Sequence, residues 1–264
     1  MAASGAILGA GAAIPYDAAL AVPPEIRTPL QRVAFESGRP VPTIDALQAS
    51  DTTGKRGTAS PYPREITKSR QIVAKCPFKS RPLEVALFFD GLRQGSHNEA
   101  LGPDTHLYAE EWPVRANPLI VQFFDATTLR TPSGDQTAWC AAFVNWCLLR
   151  ARFGRNDAGD LLRHTASAAS ETFRNWGAAT SDPKPGDIVV FRHKRDAGRG
   201  HVGFFVSRAE DSVLVLGGNQ MPLRVPGGIY EKHSTGEINI KRMPLDGVDL
   251  ALHSIRTDPS LHDL

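Results

Sequence analysis

Two side chains in this sequence are of the types that carry out nucleophilic acyl chemistry, Cys140 and His201. Cys140 lies in "TAWCAAFVNWC" (137–147), directly after a tryptophan and at the start of an apolar run with helical spacing. A thiol attacks only as its thiolate, and a helix N-terminus favours that anion through its unpaired N–H groups and dipole. Helix initiation near Thr137–Trp139 puts Cys140 in the first turn. Cys147, two turns on, is away from the positive end and reads as core filling. A thiolate needs an imidazole partner. Among eight histidines, His201 in "RGHVGFFV" opens a glycine-punctuated apolar strand, where a sheet holds a side chain rigidly. His193 falls in a basic loop and His164 between helices. A third group should orient the ring, and Asn219 in "VLVLGGNQ" lies where the next antiparallel strand leaves the sheet. Taken singly, each residue has a plainer alternative: a small buried hydrophobe, a structural histidine, a polar turn.

Four helices and a run of strands are needed to position these groups. "PLEVALFFDGLRQG" (82–95) starts with a proline at a helix-start position. "NPLIVQFFDATTL" (117–129) has Asn117 as N-cap with Pro118 behind it. "TAWCAAFVNWCLLRARFG" (137–154) is the strongest pattern, and "TASAASETFRNWG" (165–177) predicts a further helix closed by Gly177. The period then changes to that of strands, in "KPGDIVVFRH", "GHVGFFVSRAEDSVLVLGGNQ" and "VDLALHSIR". "IYEKHS" and "EINIKRM" read as a hairpin. Pro185–Asp187 form the turn into the first strand. Helices first and an antiparallel sheet afterwards is an α+β layout.

Residues 1–80 have another character. They hold nine of the twenty prolines and no sustained period, and read as a partly disordered leader or linker with one short helix near 28–37. The organisation expected is a leader over 1–80, a domain over 81–257 and a tail over 258–264. The net charge of +2 and the lack of a basic run give no nucleic-acid signal. Three cysteines make neither a disulfide framework nor a metal site, so no cofactor or metal is expected. No apolar run is long enough to span a bilayer. The apolar start lacks a basic n-region, the first basic residue being Arg27.

Together, "TAWCAAFVNWCL", "PKPGDIVVF", "GHVGFFV" and "VLVLGGNQ" resemble the motifs of the CHAP family (cysteine- and histidine-dependent amidohydrolase/peptidase). The resemblance is closest to a bacterial and phage subgroup with WCAAFVNW and LGGNQ. The two upstream helical stretches look like that subgroup's leading helices, so the likeness covers about 81–256. It implies a papain-like fold, with a helix bearing the cysteine packed on a small antiparallel sheet bearing the histidine. It also implies cleavage of an amide in the peptidoglycan stem peptide, as endopeptidase or N-acetylmuramoyl-L-alanine amidase. By the same resemblance Cys140 is the nucleophile, His201 the base and Asn219 the orienting residue, and the first two must meet at hydrogen-bonding range. Many CHAP domains carry Glu two positions before that Asn. Gly217 stands there in this chain, so the neutral Cys-His-Asn version fits better.

In the implied mechanism, backbone N–H groups at the helix start hold the oxyanion. Gln136 is the side-chain donor expected nearby. Asp135 contacts a substrate amine or caps the helix, and Trp139 lines the cleft or anchors the helix. Gln220 binds substrate or polarises the surroundings of the histidine. Trp146 and Asn145 are expected to be packing and hydrogen-bonding residues of the helix. The expected partner is a peptidoglycan stem peptide, met in the periplasm or cell wall and reached without an ordinary signal peptide. Two settings are open: an antibacterial effector of a type VI secretion apparatus, paired with an immunity protein, or a phage-type lysin. Two other readings remain, a papain-like acyl or amide transferase and a non-catalytic cell-wall-binding module.

Overall fold

A computed structural model of the chain describes residues 63–112, 116–129, 135, 137–152, 164–222 and 236–263. The fold is α+β: helices on one face of a six-stranded antiparallel sheet. The helices are α1 (Pro63–Lys75), α2 (Pro82–Arg93), the single turn α3 (Asn98–Leu101), α4 (Pro118–Phe123) and α5 (Cys140–Arg152). The strands are β1 (Ala178–Ala179), β2 (Ile188–His193), β3 (Gly200–Arg208), β4 (Ser212–Gln220), β5 (Glu237–Pro244) and β6 (Leu250–Thr257), in spatial order β1-β6-β2-β3-β4-β5. Among the described residues, no helix is long and apolar enough to cross a membrane.

Local rules set the helix starts. In α2, Pro82 takes the first position, and the Glu84 side chain accepts the Arg81 backbone N–H at 3.2 Å. In α4, Asn117 caps as expected, its side chain accepting the Leu119 N–H at 2.9 Å. The helix turns into a 3-10 segment over Phe124–Ala126. α5 is buried along nearly its whole length, from Cys140 to Leu148. A helix apolar all round belongs at the centre of a fold. Phe143 and Trp146 there stack edge-on against Phe89 of α2 and Phe123 of α4, with ring centroids 5.3–5.9 Å apart. Trp146 is thus a core residue. Asn145 is fully buried and receives the Thr165 N–H at 2.8 Å while donating to Ser167 O at 2.8 Å, which ties down the segment after the helix.

The sheet is apolar on both faces. Ile188, Val190, Val202, Phe204 and Leu216 face the helices, whereas Val189, Phe191, Phe205, Val213 and Val215 build a second, smaller cluster. This division follows the period-2 alternation of the strands.

Two regions differ from the sequence reading. Residues 165–177 form no α-helix; only a 3-10 segment over Ser170–Asn175 appears. Ser and Thr side chains there take the backbone donors, Ser167 Oγ accepting from Ala169 N, and Ala166 sits at φ +54°. Such local bonds compete with the helical ladder. The stretch read as the end of the leader contains α1, whose Ile66 and Ile72 are buried in the main core. Arg150 of α5 clamps it, donating to Val73 O and Cys76 O at 2.9 and 2.8 Å. Its few apolar residues stand among many charged ones, which hid the period. The short helix near 28–37 and the strand "IYEKHS" lie outside the described residues.

Candidate active site

Cys140 is the first residue of α5 and only 5% exposed. Burial raises its thiol pKa, against the backbone N–H groups of Val202, Ala141 and Cys140 itself, which favour the thiolate. Val202 follows His201 on β3, so the first residue of α5 lies against the strand that carries the histidine. Cys147 is fully buried, its thiol pushed well up by burial, as expected for a core residue.

His201 is 7% exposed and stands opposite Phe191 of β2. Burial lowers its pKa to about 4, while the Gln220 side chain acts the other way and Lys241 adds to the lowering. The ring is therefore neutral at pH 7, as a general base requires. Its Nε2 has no hydrogen-bond partner among the described residues, and no hydrogen bond joins ring and thiol. The two sides touch where the Cys140 sulfur meets the Val202 backbone.

The end of β4 decides what surrounds each group. Gly218 faces α5: a Cβ there would lie 2.3 Å from the Trp139 ring. Gly217 faces the histidine: a Cβ there would lie 3.1 Å from His201 Nε2. Against β5 the register then shifts by one residue between Gly217 and Gln220, with Asn219 at φ +56°. This bulge exchanges the sides on which the next two residues fall. Asn219 turns towards α5. In the amide orientation that satisfies both neighbours, its Nδ2 donates to Glu111 Oε1 at 3.0 Å and its Oδ1 accepts the Trp139 N–H at 3.2 Å. Gln220 turns towards the ring instead. The resemblance had implied Asn219 beside the histidine.

Three other expected site residues have these positions. Trp139 is fully buried, so it anchors the helix and lines no cleft; its indole N–H donates to Glu111 at 2.8 Å. Asp135 is 1% exposed and accepts from the backbone N–H groups of Trp112 and Asn117, at 2.9 and 2.7 Å. It therefore braces the start of α4. Burial raises its pKa to about 7, with the neighbouring Glu111 adding to the effect. Gln136 lies outside the described residues.

The sequence reading missed Glu111. Its carboxylate collects the Trp139 indole, the Asn219 amide and the Gly236 N–H beside the start of α5. Its pKa is raised by burial and lowered by these donors. A lone Glu beside another Glu carries no motif, so nothing in the sequence marks it. Among the described residues, no group of three or more His, Cys, Asp and Glu side chains is placed to hold a metal ion.

The family model for the CHAP domain matches residues 132–219, from just before α5 to the penultimate residue of β4. No curated protein and no solved structure matches the chain.

Proposed function

We propose, from the match of the CHAP-domain family model to residues 132–219, that the chain is a cysteine hydrolase of an amide in the peptidoglycan stem peptide. The observation that carries this is Cys140 as first residue of a buried helix, its sulfur against the N–H of the residue after His201. His201 takes the thiol proton and the thiolate attacks the substrate carbonyl. The developing oxyanion is met by N–H groups at the start of α5. His201 returns the proton to the leaving amine, and water releases the acyl-enzyme. Ring and thiol must come within hydrogen-bonding range in the substrate complex; in this structure they are not bonded, and His201 pairs with Phe191, whose side chain lies on the sheet face away from the helices. The scissile bond is that of an endopeptidase or an N-acetylmuramoyl-L-alanine amidase. Such an enzyme would act in the periplasm or cell wall, as a delivered antibacterial effector or a phage-type lysin.

The decisive experiment is digestion of purified peptidoglycan by wild type and Cys140→Ala, with fragments identified by mass spectrometry. New N-termini or free lactyl ends from wild type alone support hydrolysis and name the bond. Closed burial of thiol and ring, without a bond between them, favours one rival, a non-catalytic wall-binding domain. For that rival the two digests are identical and both proteins co-sediment with peptidoglycan.

A further inference from the structure

Two buried polar atoms beside the histidine lack partners among the described residues: Nε2 of His201 and Oε1 of Gln220. Each such atom carries an uncompensated desolvation cost, so native proteins keep few of them, and two meeting at one point call for an explanation. The other end of the Gln220 amide is fully engaged. Its Nε2 donates to Asn239 O at 2.6 Å, Asn239 Oδ1 at 3.0 Å, Val215 O at 3.2 Å and Gly217 O at 3.3 Å. Those oxygens decide which way round the amide lies, because a carbonyl turned towards them would meet only acceptors. Oε1 is left on the other side. Asn239 is fixed in turn, donating to Glu237 Oε1 at 2.6 Å and Met221 O at 3.2 Å. The Gly217 position is where ring and amide meet: His201 Nε2 and the Gln220 amide carbon lie 3.1 and 3.3 Å from the point where a Cβ would begin.

We propose that Gln220, rather than Asn219, is the positioning residue of His201: its Oε1, adjacent to the ring but not bonded to it in this structure, is the acceptor that takes the Nε2–H of the neutral ring in the working site. This assignment rests on the Cys140–His201 reading above. It holds the ring in the tautomer whose Nδ1 is bare, the nitrogen that would take the Cys140 proton. The bulge at Asn219 brings Gln220 to this side, and the missing side chain at Gly217 makes room for it. The charged group acting on the ring from β5 is Lys241, which disfavours the imidazolium. A carboxylate in place of the amide would oppose Lys241 and favour it.

The test uses the full chain as wild type, Gln220→Met and Gln220→Glu, with Cys140→Ala and His201→Ala as references. Nitrogen-15 NMR reads the His201 tautomer, iodoacetamide alkylation reads thiolate formation at Cys140 against pH, and peptidoglycan digestion gives kcat and KM. We expect the Nε2–H tautomer in wild type. Gln220→Met should mix the tautomers and lower kcat about 100-fold with KM little changed. Gln220→Glu keeps an acceptor, so it should recover most of that rate and move the acidic limb of both pH profiles upward. An Nδ1–H ring in wild type would overturn the assignment. So would a Gln220→Met protein with wild-type tautomer and rate beside inactive Cys140→Ala and His201→Ala. Digestion that survives Cys140→Ala would instead sink the hydrolase reading, and tautomer and alkylation would still decide the role of Gln220. If Gln220→Met does not fold, the wild-type tautomer and the Glu variant carry the decision.

Discussion

Two buried polar regions flank the last residues of β4, and they differ in how completely they are satisfied. On the α5 side, Glu111 receives the Trp139 indole, the Asn219 amide and a backbone N–H, while Asp135 receives two more backbone donors. On the other side, His201 Nε2 and Gln220 Oε1 are both without partners among the described residues. A fully connected network rigidifies a core, whereas one left open has capacity for chemistry. The acidic region holds the start of α5, and under the proposed function the histidine region is the one left for proton transfer.

The strongest way to break this division is Cys140→Ala, which should lower peptidoglycan digestion by about 10⁴-fold or more while leaving the urea midpoint nearly unchanged. A chain that digests normally without the thiol would end the assignment of chemistry to this site.

The next effect belongs to the acidic side. Glu111→Ala leaves the indole N–H, the Asn219 amide and the Gly236 N–H without their acceptor. It should cost about 3–5 kcal/mol in urea unfolding, from unpaired buried donors at ~1–3 kcal/mol each. A loss within 1 kcal/mol (roughly the cost of a single ordinary hydrogen bond) would show that the region does not support the fold.

The paired glycines sharpen the same contrast. Gly218→Ala would push a methyl to 2.3 Å from a fully buried Trp139, and should destabilise the fold by about 3 kcal/mol as overpacking. Gly217→Ala meets His201 Nε2 at 3.1 Å, a contact relieved by a few tenths of an ångström. Its stability cost should be about 1 kcal/mol, with digestion lost out of proportion because the ring moves. Equal ratios of activity loss to stability loss in the two variants would erase the distinction.

The smallest effect is in the pH dependence of stability. His201 has its folded pKa lowered to about 4 from 6.5, so the unfolded chain binds its proton first and stability falls as pH drops from about 6.5 to 4, by up to ~3 kcal/mol. Asp135 has its folded pKa raised from 3.8 to about 7. The folded chain holds that proton longer, so stability falls as pH rises through the same window, by up to ~4 kcal/mol. The two slopes oppose, and the wild type should be nearly flat between pH 4 and 6.5 (the span over which both groups differ from their unfolded states). Asp135→Asn should expose a stability that rises with pH, and His201→Gln one that falls. Denaturant midpoints measured across pH would contradict this if either variant stayed flat.

Much of the frame was legible in residue patterns. Asn117–Pro118 and Pro82 mark helix starts because capping and proline geometry are local. The apolar spacing of 140–148 puts Cys140 in the first turn of a helix without reference to any other part of the chain, and the structure makes it the first residue of α5. The apolar runs in 200–208 and 212–220, joined by a charged turn, give β3 and β4, since β-branched and aromatic residues bounded by turn residues mark strands buried on both faces. Helix α1 was masked by its charged residues, and 165–177 misled because Ser and Thr side chains captured the backbone donors.

The neighbours of the reactive groups were a different matter. Strand alternation read from the sequence puts Asn219 and Gly217 on one face and Gln220 with Gly218 on the other. The bulge against β5 reverses the last two, sending Asn219 to Glu111 and Gln220 to His201. Side-chain parity along a strand has a period of two, so a single inserted residue exchanges the faces, and where it is inserted depends on the partner strand. The sequence by itself therefore determined which residues are chemically capable and which elements bear them. Only the tertiary structure decided which of two adjacent amides touches the histidine, because that choice depends on pairing with β5 and on Glu111, a residue distant in the chain and without a motif of its own.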